Sequence, residues 1–239
     1  MLIAGLQKFS LGDWAGEPAC VIFLAGCNYQ CPWCNYVDYF DPVAGLEEKA
    51  LWKFLEEQTD KLKVCVISGG EPTIHPDLPD FLRGIKNLGY KVKLETNGSH
   101  PQMLADLTKD NLIDFISLDV KAPKEKYGFL IGFPQDSLNY LLSQIDQSLA
   151  FLKKGSVDYE LKTTVGTFLT PDDVWQIVHW IKPAKKYSLI NFQPRGTLDS
   201  GFGAFEPYGL EYLARLRDKI APFFETCEVR EGALRPGLF

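Results

Sequence analysis

Histidine is scarce in this sequence of 239 residues, which contains only His75, His100 and His179. None of the three stands at the C-x₂-C or H-x₃-H spacing by which protein ligands surround a structural zinc ion, and a structural zinc site needs four closed ligands. A zinc site is therefore the weaker explanation for the cysteines of this chain.

Long apolar runs and an excess of basic residues are also lacking. No run approaches the roughly 20 apolar residues of a membrane-spanning helix, and 31 acidic residues outnumber 25 basic ones for a formal net charge of -6. Proteins that bind nucleic acid usually show the opposite balance. We expect a soluble protein that binds neither nucleic acid nor membrane, and whose partner is a small molecule or another protein.

A secretory signal is not recognisable either. Residues 1–10 lack the long apolar core that follows basic residues in a signal peptide, so we expect a cytoplasmic location, where thiols stay reduced. No linker-like or low-complexity segment divides the chain, and 46% hydrophobic residues suffice for a sizeable core. We expect a single domain over residues 1–239.

Three cysteines stand close together just after an apolar run at 19–24. Cys27, Cys31 and Cys34 have the spacing C-x₃-C-x₂-C. Three thiolates on one short loop can hold one face of an iron–sulfur cluster, but such a cluster normally has four cysteine ligands. One iron would then be open to a substrate.

The cysteines have two other interpretations. Disulfide pairing within the triplet leaves one cysteine over and does not suit a reducing compartment. The other cysteines lie in apolar, strand-like surroundings without ligand spacing, so we expect small buried hydrophobic residues rather than a second cluster. They are Cys20, Cys65 and Cys227.

The order of apolar segments predicts alternating strands and helices. Runs rich in Val, Ile, Leu, Phe and Tyr predict strands at 19–24, 63–67, 91–95, 114–119, 159–165 and 187–192. Helical periodicity falls between and after them, at 46–58, 77–88, 102–107, 138–152, 172–181 and 211–223. Alternating βα units imply an α/β fold with a parallel sheet. Six units favour a partial (βα)₆ TIM-type barrel, with a doubly wound sheet as the alternative.

Polar groups follow each predicted strand at its carboxyl end, where such folds place their chemistry. After the cysteines come Ser-Gly-Gly-Glu-Pro at 68–72, Glu-Thr-Asn-Gly at 95–98 and Asp-Val-Lys at 119–121, while later strands carry residues 162–164 and 193–195. Each motif alone is ordinary turn chemistry or a surface charge pair. Their recurrence on successive strands predicts one shared site.

The cysteine triplet and the Gly-Gly-Glu-Pro motif together resemble the leading signatures of the radical S-adenosylmethionine (SAM) superfamily. Residues 5–16 and 22–28 resemble the opening of the activating proteins of anaerobic ribonucleoside-triphosphate reductase, and residues 192–194 and 197–199 are similar to that family as well. The resemblance therefore covers most of the chain.

This resemblance implies the radical SAM fold and two cofactors. A [4Fe–4S] cluster would be held by Cys27, Cys31 and Cys34, and SAM would chelate the fourth iron. Electron transfer from the cluster would cleave SAM to methionine and a 5′-deoxyadenosyl radical, with the protein positioning and shielding the cofactor. The radical would remove a hydrogen from a glycine of a partner, either anaerobic ribonucleotide reductase or another glycyl radical enzyme. An electron donor such as flavodoxin or ferredoxin is implied.

The resemblance also suggests roles for the residues after the second strand and within the cysteine loop. Gly69 and Gly70 would let the backbone approach the methionine part of SAM, and Gly70 with Glu71 would receive its amino group. Trp33 would lie near adenine, although an aromatic residue of the core is an equal interpretation.

Further roles fall on the third and fourth predicted strands. Thr96 and Asn97 would hold ribose or carboxylate oxygens. Glu95 and Asp119 end neighbouring strands, where two acids can share a cation or balance the sulfonium charge of SAM. Lys121 would contact the SAM carboxylate or the incoming polypeptide.

Two segments bear on the choice of substrate. Residues 35–41 depart from the His-Asn pair that many relatives carry after the third cysteine, and this loop is expected to border the mouth of the barrel. Residues 124–135 form either a docking segment or a buried turn with a short helix.

Three functions remain open from the sequence. The first is the glycyl-radical activase. The second is a radical SAM enzyme that acts on a small molecule, as 7-carboxy-7-deazaguanine synthase does, and the third is a non-catalytic metal-binding or interaction module.

Overall fold

The computed structural model describes residues 1–14, 16–35 and 45–232, and within these ranges the chain forms one eight-stranded sheet and seven α-helices. The strands are β1 (Ile3–Ser10), β2 (Ala19–Leu24), β3 (Val64–Gly69), β4 (Lys91–Thr96), β5 (Phe115–Asp119), β6 (Asp158–Val165), β7 (Ala184–Asn191) and β8 (Phe224–Glu231). The helices are α1 (Glu48–Gln58), α2 (Leu78–Asn87), α3 (Pro101–Lys109), α4 (Lys124–Ile131), α5 (Gln135–Lys153), α6 (Pro171–Ile181) and α7 (Leu210–Ile220).

The strands lie in the sheet in chain order. β1 is antiparallel to β2, and every later neighbour pair is parallel. Each parallel step requires a crossover, and each crossover here contains at least one helix. β1 and β8 are the two edges of the sheet, so the barrel is open. The predicted α/β class, parallel sheet and partial barrel are confirmed, while β1 and β8 were not predicted.

The two faces of the sheet differ in chemistry because successive side chains alternate between them. The outward face packs against the helices in a large apolar core that includes Cys65, Leu94 and Leu118. The inward face of β2 and β3 is apolar, and Val21, Phe23 and Val66 there belong to a separate cluster. On β4 to β6 the inward positions are mostly polar or charged: Lys93, Glu95, Ser117, Asp119, Glu160, Lys162 and Thr164.

The turn between β1 and β2 lies at the amino end of the barrel, opposite the cysteines. Trp14 packs edge-on against Phe115, with ring centroids 5.6 Å apart. Lys93 Nζ donates a hydrogen bond of 2.9 Å to the backbone carbonyl of Asp13. The turn thus covers the amino end and leaves the functional groups at the carboxyl end.

Cys20 and Cys65 are fully buried on neighbouring strands, with their Sγ atoms 3.5 Å apart, and all six cysteines are free thiols. This confirms the expectation of small buried residues for these two, whereas Cys227 is only half-buried. A search of the described helices finds none with the length and apolarity of a membrane span.

Candidate active site

The three clustered cysteines lie on the loop that follows β2 and line a cavity of about 490 Å³ inside the barrel. The predicted convergence is confirmed, since the other candidate residues line the same cavity: Trp33, Gly69, Gly70, Glu71, Glu95, Thr96, Asn97, Asp119 and Lys121. A cavity of this size is in the range that binds a cofactor-sized ligand.

The cysteine loop is fixed on one side by α4. The backbone N–H of Gln30 donates to the carbonyl of Ile131, the last residue of α4, at 2.9 Å. Inside the loop, the N–H of Tyr29 donates to Sγ of Cys27 at 3.4 Å. The Tyr29 hydroxyl is buried and has no hydrogen-bond partner among the described residues, so a group bound in the cavity can supply one.

On its other side the loop is backed by the segment after β7. The N–H of Leu198 donates to the carbonyl of Cys34 at 2.9 Å, and the N–H of Asp199 donates to the carbonyl of Pro32 at 3.0 Å. These bonds give a structural role to the motif at 197–199. The sequence associated this motif with the activase family but did not place it against the cysteines.

The paired glycines at the end of β3 are required by the protein backbone itself. Gly69 has φ of +116°, and a Cβ there would lie 2.2 Å from the carbonyl oxygen of Leu24. The N–H of Gly70 donates to the same oxygen at 3.0 Å, and that of Glu71 donates to the carbonyl of Gly26 at 2.8 Å. The turn therefore docks on the chain that leads into the first cysteine. Close approach of these glycines to methionine stays a prediction.

Glu71 is a buried hub, with 1% of its surface exposed. Its carboxylate accepts hydrogen bonds from the N–H and hydroxyl of Thr73 at 3.0 and 2.6 Å. It also accepts from the Thr96 hydroxyl at 2.7 Å and from the Asn97 N–H at 2.6 Å. Glu71 thus holds the turn after β3 against the end of β4.

Asn97 continues this network to the cysteine loop. Its amide nitrogen donates to the side-chain oxygen of Asn28 at 2.8 Å, and the Asn28 amide donates to the Ser99 hydroxyl at 2.9 Å. Asn28 and Ser99 were missed as site residues because a lone Asn or Ser carries no motif. Contacts of Thr96 and Asn97 with SAM oxygens remain predictions.

Trp33 serves both interpretations made from the sequence. It is 4% exposed and stacks on Phe168, with centroids 5.0 Å apart and an interplanar angle of 18°, and Phe202 lies tilted against it at 6.0 Å. It also lines the cavity. Trp33 is therefore a core aromatic residue that forms part of the cavity wall, and its contact with adenine stays a prediction.

Charged side chains at the ends of β4, β5 and β6 form an alternating chain. Lys162 Nζ lies 3.1 Å from Glu95 Oε1 and 3.4 Å from Asp119 Oδ2. Lys121 Nζ lies 3.4 Å from Asp119 Oδ1, and the Ser68 hydroxyl donates to Glu95 Oε2 at 2.7 Å. The two acids expected to share a cation are thus bridged by a lysine ammonium.

The pKa values of the groups beside the cavity reflect burial and this charge pattern. Burial lowers the pKa of the Lys121 ammonium, but the acidic groups around it, of which the carboxylate of Asp119 has the largest effect, together outweigh burial, so the pKa is raised and Lys121 is a permanent cation. Burial raises the pKa of the Cys27 and Cys31 thiols to about 12. Iron binding therefore has to displace their protons.

The donor set suits an iron–sulfur cluster. Three thiols line one cavity, while Cys20 and Cys65 belong to the core on the opposite face of the sheet. Among the described residues, no three His, Cys, Asp or Glu side chains converge as ligands of a single metal ion. A cluster does not require such convergence, because each thiolate binds a different iron.

Further charged residues lie deeper in the barrel and were not predicted from the sequence. Lys93 Nζ, 4.0 Å from Glu95 Oε1, joins them to the alternating chain of charges at the strand ends. Glu160 Oε1 lies 3.1 Å from Lys93 Nζ and accepts from the Ser117 hydroxyl at 2.9 Å, and Glu160 Oε2 lies 2.5 Å from Arg230. Burial raises the pKa of Glu160, but Lys93 and Arg230 outweigh burial and lower it to about 2. The sequence signal that could have predicted these charged contacts is the presence of charged residues at alternate positions of otherwise apolar strands.

The two segments linked to substrate choice have different outcomes. The loop at 35–41 lies outside the described residues, apart from Asn35. Residues 124–131 form α4, in which Tyr127 and Ile131 are buried and Phe129 is 87% exposed. The short helix is confirmed, and docking by this segment stays a prediction.

Comparison with known proteins identifies the family. The profile of the Radical SAM superfamily matches residues 21–181. A protein of Methanocaldococcus jannaschii named "Putative glycyl-radical enzyme activating enzyme" is 30% identical over 204 residues, covering 84% of each chain. A 7-carboxy-7-deazaguanine synthase of Synechocystis sp. is 36% identical over 91 residues, covering 38% of this chain and 43% of the relative.

Solved structures agree on the fold. Streptococcus suis SuiB bound to S-adenosylmethionine matches with a TM-score of 0.63 at 14% identity, covering 87% of this chain and 51% of that one. The chain spans about half the length of the solved structures that it resembles. With the family profile spanning more than half of the sequence, the chain belongs to the Radical SAM superfamily. The cofactors of this superfamily are a [4Fe–4S] cluster and SAM.

Proposed function

We propose that this protein is a glycyl-radical activase whose substrate is a glycine of anaerobic ribonucleoside-triphosphate reductase. The observation that carries the proposal is the extent of the match to the Methanocaldococcus jannaschii relative, which covers 84% of both chains. The match to the Synechocystis deazaguanine synthase covers 38% of this chain. The motif at 197–199 supports the same choice, since it backs the cysteine loop.

Cys27, Cys31 and Cys34 would hold the cluster. When bound, the cluster supplies the electron that cleaves SAM and so creates the capacity to remove a hydrogen atom from glycine. Three protein ligands leave one iron available to SAM. The docked Gly69–Gly70 turn holds the first cysteine in place, because its backbone bonds reach the chain just before Cys27.

The residues around the cavity would bind and shield SAM. Lys121 offers a permanent cation for its carboxylate, and Glu71 fixes the end of β4 by two hydrogen bonds, from Thr96 and Asn97. The Trp33–Phe168 stack walls off one side with apolar surface and excludes water there. Such shielding protects a reactive species from solvent.

The partner and the electron source follow from this function. The glycine has to belong to a glycyl radical enzyme, for which anaerobic ribonucleotide reductase is our choice. A one-electron donor such as flavodoxin or ferredoxin has to reduce the cluster between turnovers.

The test is electron paramagnetic resonance on the reconstituted, reduced protein mixed with SAM and the anaerobic ribonucleotide reductase of its own host. We expect a glycine-centred doublet to grow on the reductase. A reductase whose radical-site glycine is replaced by alanine is the matched control and should stay silent. SAM cleavage without any doublet would contradict the proposed partner.

A second candidate is a small-molecule enzyme, favoured by the 36% identity to the Synechocystis deazaguanine synthase over 91 residues. If the protein converted the substrate of those synthases in a SAM-dependent reaction and left the reductase unchanged, this candidate would replace the activase.

A further inference from the structure

Lys162 lies between two acids, Glu95 and Asp119, and its positive charge balances their negative charges. Its ammonium lies 3.1 Å from Glu95 and 3.4 Å from Asp119. The exposed fraction of the side chain is only 13% for Lys162, 11% for Glu95 and 16% for Asp119. Two carboxylates with so little exposure repel one another and are costly to bury unless a cation stands near. Glu95 also has Lys93 at 4.0 Å and Asp119 also has Lys121 at 3.4 Å, but Lys162 is the lysine that pairs with both acids and so lies between them.

The strand register fixes this arrangement. In the pairing of β5 with β6, Asp119 stands directly beside Lys162. In the pairing of β4 with β5, Glu95 stands beside Ser117, two residues before Asp119 on the same face. The lysine therefore reaches both acids from the next strand. The ion bridge is a consequence of the sheet and not of a mobile surface chain.

The bridge also orders the next cation along the cavity. Asp119 uses one oxygen for Lys162 and the other for Lys121, which lies 3.4 Å away. All four side chains line the cavity that contains the cysteines. A change at Lys162 therefore reaches Lys121 through Asp119.

We propose that Lys162 is a built-in cation that takes the place of a metal ion between Glu95 and Asp119 and thereby positions Lys121 for SAM. The proposal rests on the SAM-binding role given to Lys121 in the proposed function. It makes Lys162 a positioning residue. It also implies that SAM binding needs no added monovalent or divalent cation.

The test measures SAM affinity by calorimetry on the cluster-loaded protein in sodium, potassium or choline chloride at equal ionic strength. The wild type should bind equally in all three salts. Lys162→Met keeps the length of the side chain and removes its charge. In choline chloride, Lys162→Met should bind SAM between about tenfold and about hundredfold more weakly, which corresponds to the free energy of one hydrogen bond to a charged group. Sodium or potassium should restore part of the lost affinity.

Two matched variants separate charge from shape. Lys162→Arg keeps the cation and should retain most of the SAM affinity. Lys186 is a lysine of β7 that pairs with Glu228 at 3.2 Å and does not line the cavity. The SAM affinity of Lys186→Met should therefore equal that of the wild type. Urea unfolding of the cofactor-free protein gives a second readout, in which sodium or potassium should stabilise only Lys162→Met.

Several results would overturn the proposal. They are unchanged SAM affinity of Lys162→Met in choline, an equal loss in Lys162→Arg, or a wild type that itself needs sodium or potassium. If Lys162→Met does not fold, the wild-type salt comparison and the SAM affinity of Lys162→Arg can still overturn the proposal. Because the readout is SAM affinity and not radical formation on the reductase, failure of the activase proposal would leave this result intact.

Discussion

Gly70 lies so close to Gly26 that a Cβ built on Gly70 would stand 1.8 Å from the carbonyl oxygen of Gly26. Backbone cannot yield at that distance as a flexible side chain can. The Gly70→Ala variant should therefore push the turn after β3 away from the cysteine loop. We expect a loss of unfolding free energy of more than about 3 kcal/mol, at or above the usual cost of overpacking, and less iron bound per chain.

Gly209→Ala is the control for that variant. Gly209 precedes α7, has φ of −61° and has nothing within 4 Å of an added Cβ. It should keep both its stability and its iron content. Normal iron content in Gly70→Ala would show that the glycine contact does not shape the cysteine loop.

The backbone bond from Leu198 to Cys34 gives a second prediction. Leu198→Pro removes the N–H that donates to the Cys34 carbonyl, whereas Leu198→Ala keeps it. We expect the proline variant to lose iron on dialysis faster than the alanine variant, measured from the visible absorbance of the reconstituted cluster. Equal rates of iron loss in the two variants would show that this segment does not support the cluster.

Trp33 is expected to matter more for stability than for SAM affinity. Trp33→Ala removes a buried ring from the stack with Phe168 and should cost about 3 to 5 kcal/mol of unfolding free energy. Urea unfolding checks this value, and calorimetry with SAM on Trp33→Phe tests the adenine contact. A Trp33→Phe variant that keeps its stability and loses SAM affinity would favour the adenine role instead.

The lowered pKa of Glu160 predicts that the free energy of unfolding decreases in acid. Its pKa is lowered to about 2 from an ordinary 4.5, worth about 3 kcal/mol at 1.36 kcal/mol for each pKa unit. The contribution is complete above pH 4.5 and disappears as the pH falls through about 2, because the unfolded chain takes up the proton first. The stability difference between wild type and Glu160→Gln should therefore shrink from pH 6 to pH 2.

The exposed pair of Glu57 with Lys53 provides the control for this pH dependence. Surface pairs contribute little, so Glu57→Gln should follow the wild-type curve throughout. A Glu160→Gln curve parallel to that of the wild type would mean that Glu160 has no lowered pKa.

The predictable part of the fold was the part with apolar strands. β2 was predicted at its observed bounds because all six of its residues are apolar and buried. β8 was missed because its sequence, Phe-Glu-Thr-Cys-Glu-Val-Arg-Glu, places charges where an apolar pattern is expected. Arg230 on β8 pairs with Glu160 inside the barrel, a contact between residues far apart in the chain that no local pattern reveals.

The candidate site was predictable where residues form motifs and not where they act through contacts. The Cys27, Gly70 and Glu71 motifs were found from their spacing. The bridging position of Lys162 depends on the register of β5 with β6, and the role of Asn28 depends on its reach to Asn97. Both the position of Lys162 and the role of Asn28 follow from the tertiary structure, and no local sequence pattern indicates them.

The central claim is that the substrate is a glycine of the reductase, and isotope transfer tests it most directly. The reductase is prepared with its glycines deuterated at Cα and incubated with the reduced protein and SAM, and the 5′-deoxyadenosine formed is examined by mass spectrometry. The account predicts one deuterium atom in that product, lost when the radical-site glycine is replaced by alanine. Unlabelled 5′-deoxyadenosine formed at full rate would contradict it.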